Sequence, residues 1–361
     1  MKYAYWLAAN CYLDPVKMHQ LVQMAGSARA LYDMPKSFYD QIPNWSPQDT
    51  GALLESRKTW DLEGKWEKLH QCGIHMITID QKSYPKKLRE IAVPPYALFY
   101  YGMLPEENRL TIAVVGARKC SEYGRRVAME LGGAAARAGV QVISGMALGI
   151  DGAAHSGAMA EQGITYGVLG CGVDICYPRQ NYTMYEYMKQ NGGILSEYAP
   201  GTSPLPLFFP RRNRIISALC DVVVVVEARE KSGSLITADF ALEQGKDIYA
   251  LPGRITDPLN VGCNRLIAQG AGIICSVGDF FREIGVHQGM GVKKGVSVKV
   301  PLEKDAARVY SVLDLQPRNI EYLIEKTGFE VDRLCDILIG LENVSMIKEV
   351  FKNHYIKLSD L

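Results

Sequence analysis

The sequence predicts an α/β protein built on a doubly wound parallel sheet, and three observations carry that expectation. Val222 to Val226 form an unbroken valine run, the pattern of a strand buried on both faces rather than one with a wet side. From Thr111 onward, the short apolar runs TIAVVG, QVISG, ITYGVLG, GGILSE, DVVVVVE, DIYALPG and AGIICS recur with helical stretches between them. Most of those helical stretches close on a glycine, as at Gly163, Gly192, Gly245 and Gly270. Regular alternation of β and α with short connections places the strands side by side with helices above and below.

Length and composition set the surrounding frame. At 361 residues the chain exceeds one ordinary core, so more than one domain is expected. With 48% hydrophobic and 22% charged residues it reads as a soluble globular protein. A net charge of +1 supplies no global basic field, so any polyanion must bind a local patch. The nine cysteines contain no C-x-x-C, which argues for reduced thiols and against a zinc site. The opening MKYAYWLAAN is too short an apolar run for a secretory leader, and no run is long enough to span a bilayer. A cytoplasmic protein without a membrane partner is expected.

In chain order, residues 1–75 read as a small helical domain. Asp14 caps a helix with Pro15 at its first position, and Val16, Leu21, Val22 and Met24 give an apolar stripe ending at Gly26. Paired short helices of this kind, like a SAM domain or a helix-hairpin-helix, can touch nucleic-acid backbone, though packing alone explains the pattern. Ile74 to Tyr101 is extended and proline-rich and reads as a strap into the domain 76–284. There Ser121 caps a helix running to Ala138, with further helices near 152–161, 181–190, 211–219, 235–244 and 262–269. Residues 285–300 are glycine-punctuated and read as a linker. In 301–361, three helical stripes and a β-like tail suggest a winged helix. Its 8 Lys/Arg against 11 Asp/Glu point to protein rather than phosphate contact.

Ligands of open α/β sheets bind outside the carboxyl ends of the strands. Here those ends carry glycines beside arginines: Gly116-Ala117-Arg118, Ser144-Gly145-Met146, Gly170-Cys171-Gly172, Glu227-Ala228-Arg229 and Pro252-Gly253-Arg254. In FPRRNR, Arg211, Arg212 and Arg214 crowd the first turn of a helix expected to begin at Pro210. Cations there are mildly destabilising unless an anion lies among them. Tyr177 and Tyr182 flank Arg179, a combination suited to stacking on unpaired bases. No nucleotide-binding motif is present, so no cofactor is expected. Asp151 and His155 are spaced as an acid/base pair but read more simply as a helix cap and a packed ring. Ser232 and Ser234 likewise read as caps.

The runs VVGARKCSEYG, SGMALGIDGAAH, VLGCGVDICYPRQN, ILSEY, FPRRNRIIS, VVVVEAREKSGSLITADFALEQGKDIYALPG and GCNRLIAQGA resemble, in order, the DNA-processing protein A family (DprA, also called Smf) over about residues 75–283. The flanking segments resemble that family's helical and winged-helix modules. The resemblance implies an extended Rossmann-like fold, binding of single-stranded DNA, loading of the RecA recombinase onto it in natural transformation, a homodimer and no catalysis. Carried over motif by motif, the DNA contacts fall on Arg118, Arg179, Arg211, Asn213 and Arg214, with Gly145 and Gly149 lining the groove. Leu148 stands where many members of that family carry a basic residue. A second reading comes from the nucleoside-monophosphate phosphoribohydrolases, enzymes on a similar fold. They carry P-G-G-x-G-T before a catalytic Glu, and the corresponding SGSLITADFALEQ lacks those glycines.

Overall fold

The valine run lies inside a nine-stranded sheet, third from one edge, with its side chains alternating between two dry faces. The computed structural model describes residues 1–10, 13–43, 45–286, 303–314, 316–343 and 346–358. The chain divides into two compact units, Met1–Met290 and Gly291–Leu361.

In the first unit the strands are β1 (His75–Thr78), β2 (Ala97–Gly102), β3 (Thr111–Val115), β4 (Gln141–Ser144), β5 (Thr165–Val168), β6 (Gly192–Ser196), β7 (Val222–Val225), β8 (Asp247–Ala250) and β9 (Gly272–Ile273). Their spatial order is β1-β2-β6-β5-β4-β3-β7-β8-β9. Strands β3 to β9 pair in parallel, while β2 runs antiparallel to both β1 and β6. Val223 and Val225 enter one core with Ile215, Ile216, Ala238 and Ala241. Val222, Val224 and Val226 enter the other with Val127, Leu131, Ala154 and Phe280. A fully buried valine side chain contributes about 1.5 kcal/mol or more, so this one run anchors both layers.

The expected strap is partly sheet. Its two ends form β1 and β2, because ALFYYG presents an extended apolar run to the otherwise open edge of β6. The helices Lys2–Ala8, Pro15–Ala25, Ala28–Asp33, Lys36–Tyr39, Pro47–Thr59 and Leu62–Gln71 precede it. Tyr5, Trp6, Leu7, Leu21, Leu31 and Leu53 share a hydrophobic core with Phe99, Met146 and Ile194, so the core is continuous across the boundary expected near residue 75. The expected caps form: Asp14 accepts from the Lys17 N–H at 2.9 Å, and Ser121 from the Gly124 N–H at 3.0 Å.

The second unit holds helices Lys304–Val312, Ile320–Thr327 and Val331–Asn343, with an antiparallel sheet of β10 (Arg318–Asn319), β12 (His354–Lys357) and β11 (Ile347–Phe351) in that order. Val309, Leu313, Leu323, Leu334, Leu338, Leu341 and Ile347 form its own core. Residues 287–300 of the expected linker lie outside the described residues. Among the described residues, no helix is long and apolar enough to cross a membrane.

Candidate functional site

The chain leaves β3 toward β4, β5 and β6 on one side and later returns to β7, β8 and β9 on the other. The connections after β3 and β7 therefore diverge, and a crevice opens at their carboxyl ends. It encloses about 390 Å³ and is lined by Gly116, Arg118, Asp151, Tyr177, Phe209, Arg212, Asn213, Ser232 and Ser234. A smaller recess of about 80 Å³, with Arg118, Gly145, Leu148, Tyr177, Pro178 and Phe209 on its wall, shares several of these residues.

The floor is charged and fully committed. Arg212 is buried, and its guanidinium donates to the carbonyl oxygens of Gly145 (2.8 Å) and Val168, and to Oδ1 of Asn213 (3.1 Å). It thus ties together the ends of β4 and β5. Burial pushes its pKa down to about 10, against the favourable field of Asp151. Asp151 accepts from the Gly145 N–H at 3.1 Å, and burial pushes its carboxyl up. Gly145 has no room for a side chain, since a Cβ would sit 2.5 Å from the Arg212 guanidinium. Gly149 has φ +80°, and a Cβ there would sit 2.3 Å from the Ala117 carbonyl oxygen. Both glycines are thus required by the packing of the floor itself.

The expected helix begins at Phe208 and runs to Leu219, two residues earlier than Pro210 suggests. Proline is tolerated there because the first N–H groups of a helix lack intrahelical partners. The earlier start places Arg214 in the second turn, where its side chain is paired within the protein. Arg214 is 7% exposed and forms a forked ion pair with Glu197 at 2.8 and 2.6 Å, while its Nε donates to the Val93 carbonyl oxygen at 2.9 Å. It is occupied by the protein rather than held out to a phosphate. Asn213 is buried too: its Nδ2 donates to the Gly233 carbonyl oxygen at 3.1 Å, so it joins the helix to the next connection.

The rim differs. Arg118, Arg179 and Arg211 are exposed, and among the described residues none is held by a carboxylate. The Arg118 guanidinium lies 5.4 Å from the Phe209 ring centroid. Phe209 in turn lies 5.5 Å from Tyr177 at an interplanar angle of 36°. Tyr177 is 42% exposed, so a ring beside the Arg118–Phe209 contact remains open to solvent. Arg179 opens a short helical turn directly after Pro178, which lines the same recess. Asn181 fastens that turn by donating to the Met146 carbonyl oxygen at 2.9 Å. Arg211 lines a different recess, of about 320 Å³, with Val16, Met18, Tyr96 and Glu197. The structure therefore brings Arg118 and Tyr177 together, leaves Arg179 exposed two residues past Tyr177, and sets Arg211 on a separate recess.

Sequence reading assigned no role to Phe209, and it grouped Arg212 with the cations of an anion-binding helix start, whereas Arg212 is buried and bonded to carbonyl oxygens. The pair Phe208-Phe209 directly before a proline was the available signal for a ring presented at a helix start. Nothing local distinguishes Arg212 from its neighbours. Asp151 and His155 have separate partners, but Asp151 is not the expected helix cap: the helix Ile150–Ala160 starts after Gly149 with no side-chain cap, and Asp151 lies in its first turn, turned to the Gly145 N–H. His155 is buried, bonded through Nδ1 to Thr165 Oγ1 at 2.7 Å, and pushed down to about 3 by burial. Ser232 caps its helix by accepting from the Ser234 N–H. Glu243 is exposed and lines another recess, with Lys87 and Lys246. Glu227 is buried and accepts from the Ser121 N–H at 2.8 Å, holding the start of the helix Glu122–Arg137 against β7.

A family model described as DNA recombination-mediator protein A matches residues 75–285. The DNA processing protein DprA of Bacillus subtilis is 43% identical over 213 residues, covering 59% of this chain and 72% of its own. Protein Smf of Escherichia coli is 32% identical over 359 residues, covering 97% of this chain and 89% of its own. Among solved structures, DprA of Streptococcus pneumoniae matches with a TM-score of 0.67 and 32% identity, covering 78% of this chain and 98% of that one. DprA of Helicobacter pylori, whose structure is described by its single-stranded DNA binding mode, matches with a TM-score of 0.53 and 30% identity, covering 58% of this chain and 95% of that one.

Proposed function

From the premise that this chain belongs to the DNA recombination-mediator protein A family, we propose that it binds single-stranded DNA along the rim of the crevice, without catalysing a reaction or using a cofactor. The observation that carries this reading is the open cluster of Arg118, Phe209 and Tyr177, with exposed Arg179 two residues farther along the chain. A guanidinium neutralises a phosphate, and a ring accepts an unpaired base of any identity. Duplex DNA hides its base faces, so it engages only the charges. In the cell, the protein so bound shields incoming strands and loads the RecA recombinase onto them in natural transformation. It acts as a homodimer in the cytoplasm, with the second unit serving as a winged helix.

Each rim guanidinium that meets a phosphate releases counterions. With Arg118, Arg179 and Arg211 engaged, log K for a single strand falls against log salt with a slope of roughly −2. Titrating a labelled oligonucleotide at several salt concentrations tests this. Arg179→Ala is expected to weaken binding and flatten the slope by about 0.7. An unchanged slope in a folded Arg179→Ala protein rejects the rim as the binding surface. Turnover of AMP by the pure protein, lost in Glu243→Gln, would replace the reading with the phosphoribohydrolase one.

A further inference from the structure

On the winged-helix reading of the second unit, the helix Val331–Asn343 is the element that a nucleic-acid-binding version would offer to a groove. Its surface is unsuited to phosphate. Leu334, Ile337, Leu338 and Leu341 face the core. The neighbouring arc carries Val331, Cys335 and Ile339, one turn apart along a single row. Val331 is 50% exposed and Ile339 59% exposed, with Cys335 partly exposed between them. The next row is Asp332 and Asp336, both exposed. Arg333, the helix's own cation, pairs with Asp305 at 2.9 Å and also lies within the field of Asp336, one turn away. Here an apolar stripe is bordered by two exposed carboxylates, and the one cation of this helix is already paired with Asp305.

We infer that this helix face is a docking surface for a cationic amphipathic helix of another protein. Such a segment lays its apolar side chains along Val331, Cys335 and Ile339, while its lysines or arginines meet Asp332 and Asp336. This is the side-by-side fit of one amphipathic helix on another, with charge setting the register. The complementarity excludes a nucleic acid, whose phosphates meet only like charge on this arc. The inference is independent of how the first unit handles DNA.

The test uses the full chain and a synthetic 14-residue peptide with leucines at helical spacing and lysines between them. Its control replaces every lysine with glutamate. Saturable binding of the lysine peptide alone, weakened about tenfold or more by Asp336→Lys and separately by Ile339→Asp, supports the inference. Both positions are exposed, and circular dichroism checks that both variants stay folded. Equal affinity of the lysine peptide for the parent and both variants overturns it, as does absence of saturable binding. Self-association of the chain that the same substitutions abolish, with no peptide binding, also overturns it, because the occupant is then a second copy.

Discussion

Arg211 and Arg214 sit three residues apart on one helix and have opposite fates. Arg211 is exposed, whereas Arg214 is locked against Glu197 and the Val93 carbonyl. The same contrast divides the whole crevice. Its floor, made of Arg212, Asp151, Asn213, Gly145 and Gly149, spends its charges and glycines on holding connections together. Its rim, made of Arg118, Arg179 and Tyr177, leaves charge and ring surface open. The lesson is that a motif rich in arginine can be a scaffold and a ligand site at once. Burial decides which residue does which, because an unpaired charge is tolerated in water and not in a core.

The sharpest break of that comparison is Arg214→Ala. It strands the Glu197 carboxylate, whose side chain is only 9% exposed, so urea unfolding is expected to show a loss of about 3 kcal/mol. Adding Glu197→Gln should recover part of that loss, since the stranded charge is then gone. A mild effect of Arg214→Ala would place Arg214 with the rim instead.

On the rim, Phe209→Leu keeps apolar bulk beside Arg118 and removes the ring. Affinity for single-stranded DNA is expected to fall by about 1 kcal/mol or more, with little change for duplex. An equal loss for both substrates would show that the ring orders the protein rather than meeting a base.

Beneath the floor, buried His155 gives the fold a pH signature. Its folded pKa of about 3 lies below the ordinary value of 6.5, so below pH 6.5 the unfolded chain binds a proton that the folded one refuses. Stability from this residue is full above pH 6.5. It falls by up to about 1.4 kcal/mol per unit as pH drops toward 3. Asp151 acts in the opposite sense, because burial raises its carboxyl. Comparing denaturation of the parent and His155→Gln at pH 7.5 and 5.5 isolates the histidine, and the variant is expected to lose less stability.

The smallest expected effect is the stability change in Arg118→Ala, within about 0.5 kcal/mol, since an exposed side chain leaves nothing stranded. Its DNA salt slope should nevertheless flatten by about 0.7. A large stability loss with an unchanged slope would move Arg118 from rim to floor.

Much of this was legible in the chain. The valine run, the β and α alternation and the caps at Asp14 and Ser121 depend on periodicity and on hydrogen bonds closed within a few residues, so sequence alone determined them. Glycine beside arginine at the strand ends marked the crevice for a similar local reason. The sharing of FPRRNR between floor and rim was a tertiary decision. Arg212 reaches the Gly145 and Val168 carbonyls, far away in the chain, and Arg214 meets Glu197 only because the end of β6 packs beside this helix. The strap became sheet for the same kind of reason, since ALFYYG finds a partner only once β6 presents its edge. Periodicity reports which way a side chain points along its own element, but the identity of what it meets there is fixed only when distant segments pack together.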